Sequence, residues 1–222
     1  MHANPGDLPW LNSIRKLFQA KPPESRRWIV LDVETSGLDP YSDRLLAIAA
    51  VAVEVSSNFE NVSIVIGDSY EAVLKQDIPT NKENVLIHHI GRQAQTEGRP
   101  PEEVLEGFRQ WAGDCPLLAF HAPFDEAMIH RAFKAFGLKP LLNEWLDIEP
   151  LAKITGVNPS IRALDEWLNH FGIECAIRHQ AAADTFATAE LLMRLWPQLK
   201  KEANSWASLR KLSRQASWIP GS

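Results

Sequence analysis

The sequence predicts an α/β fold in which a mixed β-sheet carries helices on its faces. Between residues 28 and 74, strand patterns follow one another without an intervening helix, which indicates an antiparallel meander. After residue 82, helical patterns alternate with short apolar strands, which indicates parallel strands joined through helices. The near-continuous apolar run at residues 44–55 is typical of a central strand that is buried on both faces.

The individual elements follow from the spacing of apolar residues and from the turn residues between them. The first strand is predicted at residues 28–34, and Gly37, Asp39 and Pro40 form the turn after it. Further strands are predicted at residues 44–55, 61–66, 69–74, 116–120 and 145–148. Helices are predicted at residues 10–18, 82–89, 101–112, 123–136, 161–171 and 181–199.

The composition indicates a single domain in a reducing compartment. A chain of 222 residues can bury a substantial core without disulfides or structural metals. Its two cysteines, Cys115 and Cys175, form neither a disulfide framework nor a zinc-binding spacing. Residues 1–11 lack the apolar core of a signal peptide, and no 18 consecutive residues are apolar. We therefore expect a cytoplasmic protein with no membrane segment.

Charge is distributed unevenly along the chain. Residues 1–30 contain five Lys/Arg and two acids, and residues 200–222 contain five Lys/Arg and one acid. The stretch between them, 31–199, contains 13 Lys/Arg and 25 Asp/Glu, a net charge of −12. This excess argues against a protein that coats duplex nucleic acid through many phosphate contacts. It agrees with a carboxylate site that holds cations, and also with ordinary surface solubility.

The most informative motif is the pair Asp32 and Glu34, which ends the first predicted strand. Side chains alternate along a strand, so residues two apart project from the same face. Two neighbouring carboxylates beside an apolar core disfavour each other's ionisation unless a cation lies between them. Hard oxygen ligands that converge on one point are typical of Mg²⁺ or Mn²⁺ sites. An isolated Asp-x-Glu is more often a solvated pair, so the motif needs further ligands.

Two later segments supply such ligands. Residues 120–125 (Phe-His-Ala-Pro-Phe-Asp) follow a short apolar strand, and residues 179–184 (His-Gln-Ala-Ala-Ala-Asp) open a long helical pattern. Together with residues 32–38, they have the order and approximate separations of the three sequence blocks of the DEDDh 3′→5′ exonucleases. The chain resembles this family, which includes polymerase proofreading subunits and RNase T-type enzymes, over about residues 27–197. The resemblance implies a ribonuclease H-like fold, in agreement with the mixed sheet.

The four carboxylates can hold two divalent metal ions, Mg²⁺ or Mn²⁺. Asp32, the deepest of them in the predicted sheet, is expected to bridge the two ions. Glu34 and Asp184 would complete the first site, and Asp125 would orient the second ion, partly through water. Taken alone, Asp125 could be a first-turn acid that interacts with the helix dipole, and Asp184 could be a surface acid.

His179 is the candidate general base. Residues five apart on an ideal helix are rotated by about 140°, so His179 and Asp184 cannot share one helical face. We therefore expect His179 just before the helix, on a loop from which its side chain reaches the attacking water. A histidine with the ordinary pKa near 6.5 accepts a proton near neutral pH. A histidine at this position has that role in the family that the chain resembles.

The resemblance also implies a pocket for the 3′-terminal nucleotide. Leu38 and Phe124 match positions that press on the terminal base, and His88 matches one that lines the same pocket. Stacking on such faces is indifferent to base sequence and favours unpaired ends. Core packing is the alternative role of Leu38 and Phe124. The chain departs from the family at Phe120 and His121, where many relatives have His-Asn.

The resemblance divides the chain into three parts. Residues 27–199 form the predicted exonuclease domain. It follows an extension at 1–26, in which residues 10–18 have the spacing of a short amphipathic helix. Residues 200–222 form a basic tail that contains Trp206 and Trp218. Either terminal segment could pack on the domain or attach it to a polymerase or another protein partner.

These expectations define an activity. The chain is predicted to be a metal-dependent 3′→5′ exonuclease that releases nucleoside 5′-monophosphates from single-stranded or frayed 3′ ends, with DNA as the expected substrate. An RNA-trimming exoribonuclease or oligoribonuclease is the alternative among enzymes, because discrimination would come from contacts to the 2′-hydroxyl that the sequence does not reveal. A non-catalytic nucleic-acid-binding scaffold of the same fold is the alternative outside them. Such a scaffold would be expected to lack one of the five residues Asp32, Glu34, Asp125, His179 and Asp184.

Overall fold

One mixed sheet forms the centre of the protein. The computed structural model describes residues 26–81, 84–86, 89–155, 161–175 and 179–216. Within these residues the strands are β1 (Arg27–Thr35), β2 (Leu45–Val55), β3 (Val62–Val73), β4 (Leu117–Ala119) and β5 (Trp145–Asp147), in the spatial order β3-β2-β1-β4-β5. The first three strands are antiparallel, whereas β4 is parallel to β1 and β5 is parallel to β4. The predicted mixed sheet is confirmed.

Helices cover both faces of this sheet. Those with described boundaries are α1 (Arg92–Thr96), α2 (Pro101–Ala112), α3 (Ala122–Ala135), α4 (Ile148–Ile154), α5 (Leu164–Phe171), α6 (Ala181–Glu202) and α7 (Trp206–Ala216). The sequence pattern did not predict α1, α4 or α7, and the first two are too short to show a clear period. Of the helix predicted at 82–89, the described residues 84–86 are helical. The helix predicted at 10–18 lies outside the described residues.

Side-chain alternation along β1 separates two hydrophobic cores. Trp28 and Val30 point to the core built with α4, α5, α6 and α7, and both are almost completely buried. Ile29 and Leu31 point to the other core, built with α2 and α3. Because the alternation has a period of two, Asp32 continues the series of Trp28 and Val30 and projects from the face on which α6 lies.

β3 differs from the prediction of two strands at residues 61–66 and 69–74. It is one strand with a bulge, since residues 66–68 have no partner in its register with β2. The Asp68 carboxylate in this bulge accepts hydrogen bonds from the Arg27 guanidinium at 2.6 and 2.9 Å. The predicted break between two strands was wrong because the intervening Gly67 and Asp68 permit a β-bulge as readily as a hairpin turn.

The chain after α6 returns to the sheet. Trp206 in α7 is 5% exposed, and its ring centroid lies 5.0 Å from that of Trp28 in β1. Ser213 Oγ, also in α7, donates a hydrogen bond to the backbone carbonyl of Asp147 at 3.0 Å. The described part of the basic C-terminal segment therefore contributes to the core.

None of the helices in the described ranges is both long enough and apolar enough to span a membrane.

Candidate active site

The first two carboxylates lie side by side on the central strand. Asp32 and Glu34 of β1 are partly buried and face Ala49 and Ala47 of the neighbouring β2. Directly opposed residues of an antiparallel pair share a face of the sheet, so each carboxylate has only a methyl group as its cross-strand neighbour. These small neighbours leave space above the carboxylates for a third element.

The helix α6 brings the third carboxylate to this space. Thr185 Oγ1, at the start of the second turn of α6, donates a hydrogen bond to the backbone carbonyl of Ala49 at 3.1 Å. Because Ala49 is the cross-strand partner of Asp32, this bond places Asp184 above the β1 carboxylates. One ligand oxygen each from Asp32, Glu34 and Asp184 lie within 4.8 Å of one another.

The Asp184 carboxylate is itself held by two donors. Its Oδ2 accepts the backbone N–H of His179 at 2.9 Å, and its Oδ1 accepts the thiol of Cys175 at 3.4 Å. Asp184 is 5% exposed, so these contacts fix a buried side chain. A carboxylate with both oxygens oriented in this way is preorganised as a ligand.

Asp125 approaches the same cluster from the other side of β1. The short strand β4 pairs with β1 only through Ile29 and Val30, so the N–H of Val33 lies beyond this pairing and donates to the Asp125 carboxylate. Asp125 is 4% exposed. Burial first, and then the negative charge of Asp32, raise the pKa of Asp125 well above its ordinary value.

The structure places His179 outside α6, which begins at Ala181. Its backbone has a φ of 60°, a left-handed conformation that non-glycine residues adopt infrequently. The residue is exposed to solvent, while its backbone N–H is bound to Asp184. His179 therefore lies at the edge of the carboxylate cluster, and its side chain is accessible to water.

Asp147 is a further acid at this site that the sequence patterns did not predict. Asp147 ends β5, and its Oδ1 accepts the backbone N–H groups of His121 at 3.0 Å and Glu149 at 3.1 Å. It therefore holds the residue that precedes α3, and α3 carries Asp125. Burial raises the pKa of Asp147, and the Asp147 charge contributes to the raised pKa of Asp125. The sequence did contain a signal for Asp147. This acid ends an apolar strand that pairs with β4, the strand before Asp125.

The proposed nucleotide-contacting residues lie in different environments. Leu38 is 88% exposed on the loop after β1. The Asp43 carboxylate holds this loop by accepting the Ser36 hydroxyl at 2.8 Å. Phe124 is partly buried and packs on the core beneath α2 and α3. His88 lies outside the described residues.

The donor set fits divalent cations. Three negatively charged side chains with hard oxygen atoms converge within 4.8 Å, and the fourth, Asp125, is buried beside Asp32. Such a cluster is costly without a counter-charge, and a divalent ion with oxygen ligands supplies it. Carboxylates that converge on the central strand of a ribonuclease H-like sheet define the class of metal-dependent nucleases.

Comparison with known proteins specifies the family. The family RNase_T, described as Exonuclease, matches residues 29–192, which include all four carboxylates and His179. The chain belongs to this exonuclease family. The family implies divalent metal ions, in agreement with the acidic cluster.

Similar proteins include large DNA polymerases. The chain is 28% identical over 174 residues to "DNA polymerase III PolC-type" of Staphylococcus epidermidis and, over the same length, to that of Staphylococcus aureus. Each alignment covers 78% of this chain but only 12% of the polymerase, so the chain spans a small part of these relatives.

Solved structures share the fold. Escherichia coli Exonuclease I in complex with a dT13 oligonucleotide has a TM-score of 0.66 at 20% identity, covering 80% of this chain and 42% of that chain. Exonuclease X in complex with 5′ overhanging duplex DNA has a TM-score of 0.60 at 19% identity, covering 84% and 99%.

Proposed function

We propose that the protein is a metal-dependent 3′→5′ exonuclease that removes nucleoside 5′-monophosphates from single-stranded or frayed 3′ ends of DNA. The observation that carries this proposal is the convergence of Asp32, Glu34 and Asp184 within 4.8 Å. These side chains come from a strand and a helix that are far apart in the chain. Oxygen ligands this close together bind divalent cations, and such cations stabilise the negative charge that accumulates in the transition state of phosphodiester hydrolysis.

In this proposal the four carboxylates would hold two divalent ions, Mg²⁺ or Mn²⁺, with Asp32 as the central ligand. Bound ions supply a polarised water and neutralise charge on the phosphate and on the departing 3′-oxygen. The protein supplies the rigid arrangement. Asp184 is oriented by the His179 N–H, and Asp125 is oriented by the Val33 N–H.

His179 is proposed to accept the proton of the attacking water. Its position before α6 leaves the imidazole accessible from solvent, whereas a place within the helix would direct it away from Asp184. A positioned general base contributes about 10²–10⁴-fold to the rate. Removal of the imidazole is therefore expected to reduce turnover by about that factor while the exposed position tolerates the change.

The substrate end is proposed to contact Leu38 and Phe124. Leu38 offers an exposed apolar surface on a hydrogen-bonded loop after β1, and Phe124 lies one residue before Asp125. Contacts of this kind favour a base that is not paired. DNA is supported as the substrate by the similar proteins, which include a DNA polymerase and exonucleases solved with a dT13 strand and with overhanging duplex DNA.

Matched DNA and RNA oligonucleotides with a 5′ label test the proposal. Incubation with Mg²⁺ should produce a ladder of DNA fragments shortened from the 3′ end, and EDTA should prevent it. Asp32→Ala and His179→Ala should lose the ladder, and Asp114→Ala, which alters an exposed acid outside the cluster, should keep it. Digestion of RNA alone would replace DNA as the substrate. Metal binding without digestion of either strand would contradict the exonuclease assignment.

A further inference from the structure

The helix α7 has a charge opposite to that of the domain it packs on. It contains Arg210, Lys211 and Arg214 and no acidic residue, whereas residues 31–199 have a net charge of −12. The buried residues of α7, Trp206, Leu209, Ser213 and Ala216, occupy the opposite side of the helix. The three basic residues therefore share one side, which we call the cationic surface.

The cationic surface adjoins the beginning of α3. Arg210 and Arg214 line a cavity of about 180 Å³ together with Pro123 and Glu126 of α3. Asp125, the site carboxylate, lies between these two α3 residues in the chain. Because an α-helix is about 10 Å across, the cationic surface lies on the order of 10–15 Å from the carboxylate cluster.

Within the part of the chain that the structure describes, two of the three cations form no salt bridge. Arg210 pairs with Glu144, just before β5. Lys211 and Arg214 are exposed, and neither forms a salt bridge with any residue in the described ranges. Two acids, Glu126 and Asp147, also line the cavity, and neither forms a salt bridge with this helix within the described residues. Unpaired cations on an acidic domain attract an anionic ligand and are positioned to bind it.

We infer that the cationic surface binds the sugar–phosphate backbone of the substrate strand, upstream of the 3′ end that the carboxylates hold. The inference rests on the proposed exonuclease function. A single strand that leaves the site past the N-terminal end of α3 meets Arg214 and Lys211 within a few nucleotides of its 3′ end. Arginine and lysine contacts to phosphate position a strand without reading its sequence.

Oligonucleotide binding tests this inference in the full chain. In an Asp32→Asn background, which prevents digestion, the affinity for a fluorescent 20-nucleotide DNA strand is measured by anisotropy over a range of NaCl concentrations. The variant Lys211→Gln/Arg214→Gln should bind about 10-fold more weakly, and its log affinity–log salt slope should be smaller by about 1.4. The matched control is Lys134→Gln/Lys139→Gln, which removes two exposed cations at the other end of α3 and should keep the parent values.

Strand length supplies a second readout. A dinucleotide has a single phosphodiester, which the carboxylate site holds, so no phosphate remains for α7 and its affinity should differ little between the two double variants. Equal affinities and slopes for the 20-nucleotide strand, or an equal loss in the control, would overturn the inference, and an acidic protein would then be the better-matched partner. Binding does not require turnover. A chain with no nuclease activity but with the expected difference would reject the exonuclease assignment and retain the cationic surface.

Discussion

Burial disfavours the ionised form of the Asp125 carboxylate. Its pKa is raised above the ordinary value of 3.8 by burial and by Asp32. The folded state therefore holds the Asp125 proton to a higher pH than the unfolded state does. The stability linked to this group is present below the unfolded pKa and is lost as pH rises through the folded pKa. As the pH rises above the ordinary pKa, burial and the charge of Asp32 therefore make Asp125 destabilise the metal-free fold.

Replacement of this carboxylate should stabilise the metal-free protein and abolish its function. In EDTA at pH 8, Asp125→Asn should melt at a higher temperature than the parent, by about 2–4 °C for each kcal/mol of relieved repulsion. The difference should shrink as the pH is lowered, and added Mg²⁺ should stabilise the parent more than the variant. Thermal melts over pH measure this, with the exposed Asp114→Asn as control. A variant that melts below the parent at pH 8 would contradict the destabilising effect of burial and of the Asp32 charge on Asp125.

Asp147 acts on the site through the backbone that precedes α3. In Asp147→Ala the N–H groups of His121 and Glu149 lose their acceptor, at 3.0 and 3.1 Å, and the loss of two hydrogen bonds should destabilise the protein by about 1–3 kcal/mol. Because α3 carries Asp125, the Mg²⁺ concentration for half-maximal activity should also rise, by about 10–100-fold. Asp147→Asn keeps one acceptor oxygen and should recover part of both effects. If Asp147→Ala keeps the metal dependence of the wild type, Asp147 only caps the N-terminus of α4 and does not position Asp125.

At the scale of secondary-structure elements, the position of α6 on β2 determines the site. The Thr185 hydroxyl is bound to the Ala49 carbonyl at 3.1 Å, and Thr185 is almost completely buried. Small residues on the same helix, Ala187 and Ala189, are buried against the sheet. Because α6 carries Asp184 one residue before this anchor, a shift of the helix would separate the carboxylates.

Removal of the anchor should weaken the site without unfolding the domain. Thr185→Val preserves the shape of the side chain but leaves the Ala49 carbonyl without its donor, at a cost of about 1–3 kcal/mol. The increase in melting temperature on adding Mg²⁺ should be smaller than in the parent. Thr185→Ser retains a hydroxyl and should restore most of this increase. Identical metal responses in Thr185→Val and the parent would show that packing alone positions α6.

At the scale of the whole molecule, α7 closes the core on the α6 side of the sheet. Trp206 and Trp28 are in contact, and Trp28 in turn lies 5.9 Å from Trp196 of α6 between ring centroids. These rings come from β1, α6 and α7, so the core depends on the segment beyond residue 202. Residues 203–216 therefore fold together with the sheet and α6 as one domain.

Trp206→Ala should consequently destabilise the entire domain. Loss of a buried tryptophan costs about 3–5 kcal/mol, which corresponds to a fall in melting temperature of about 10 °C. Chemical denaturation monitored by tryptophan fluorescence and by circular dichroism measures the change. Met193→Ala, which truncates a partly exposed side chain on α6, should have a much smaller effect. A Trp206→Ala protein as stable as the parent would mean that α7 is dispensable for the core.

Much of the fold and of the site could be predicted from local patterns. The two-residue spacing of Asp32 and Glu34 determines that they share a face of β1, because side-chain direction in a strand alternates. The five-residue spacing before Asp184 places His179 outside the helix for an equally local reason, the helical rotation per residue. The roles of these residues in catalysis stay predictions, because proximity alone does not establish turnover.

Other features depended on contacts between distant segments, which local spacing does not specify. Asp125 reaches the cluster because β4 is short and leaves the Val33 N–H available. Asp147 contributes because β5 ends beside the start of α3, and α7 joins the core because Trp206 meets Trp28. By itself, the sequence determined the order of the elements and the direction of their side chains. The tertiary structure alone decided strand lengths, register and helix docking, because these depend on packing energies summed over the whole chain.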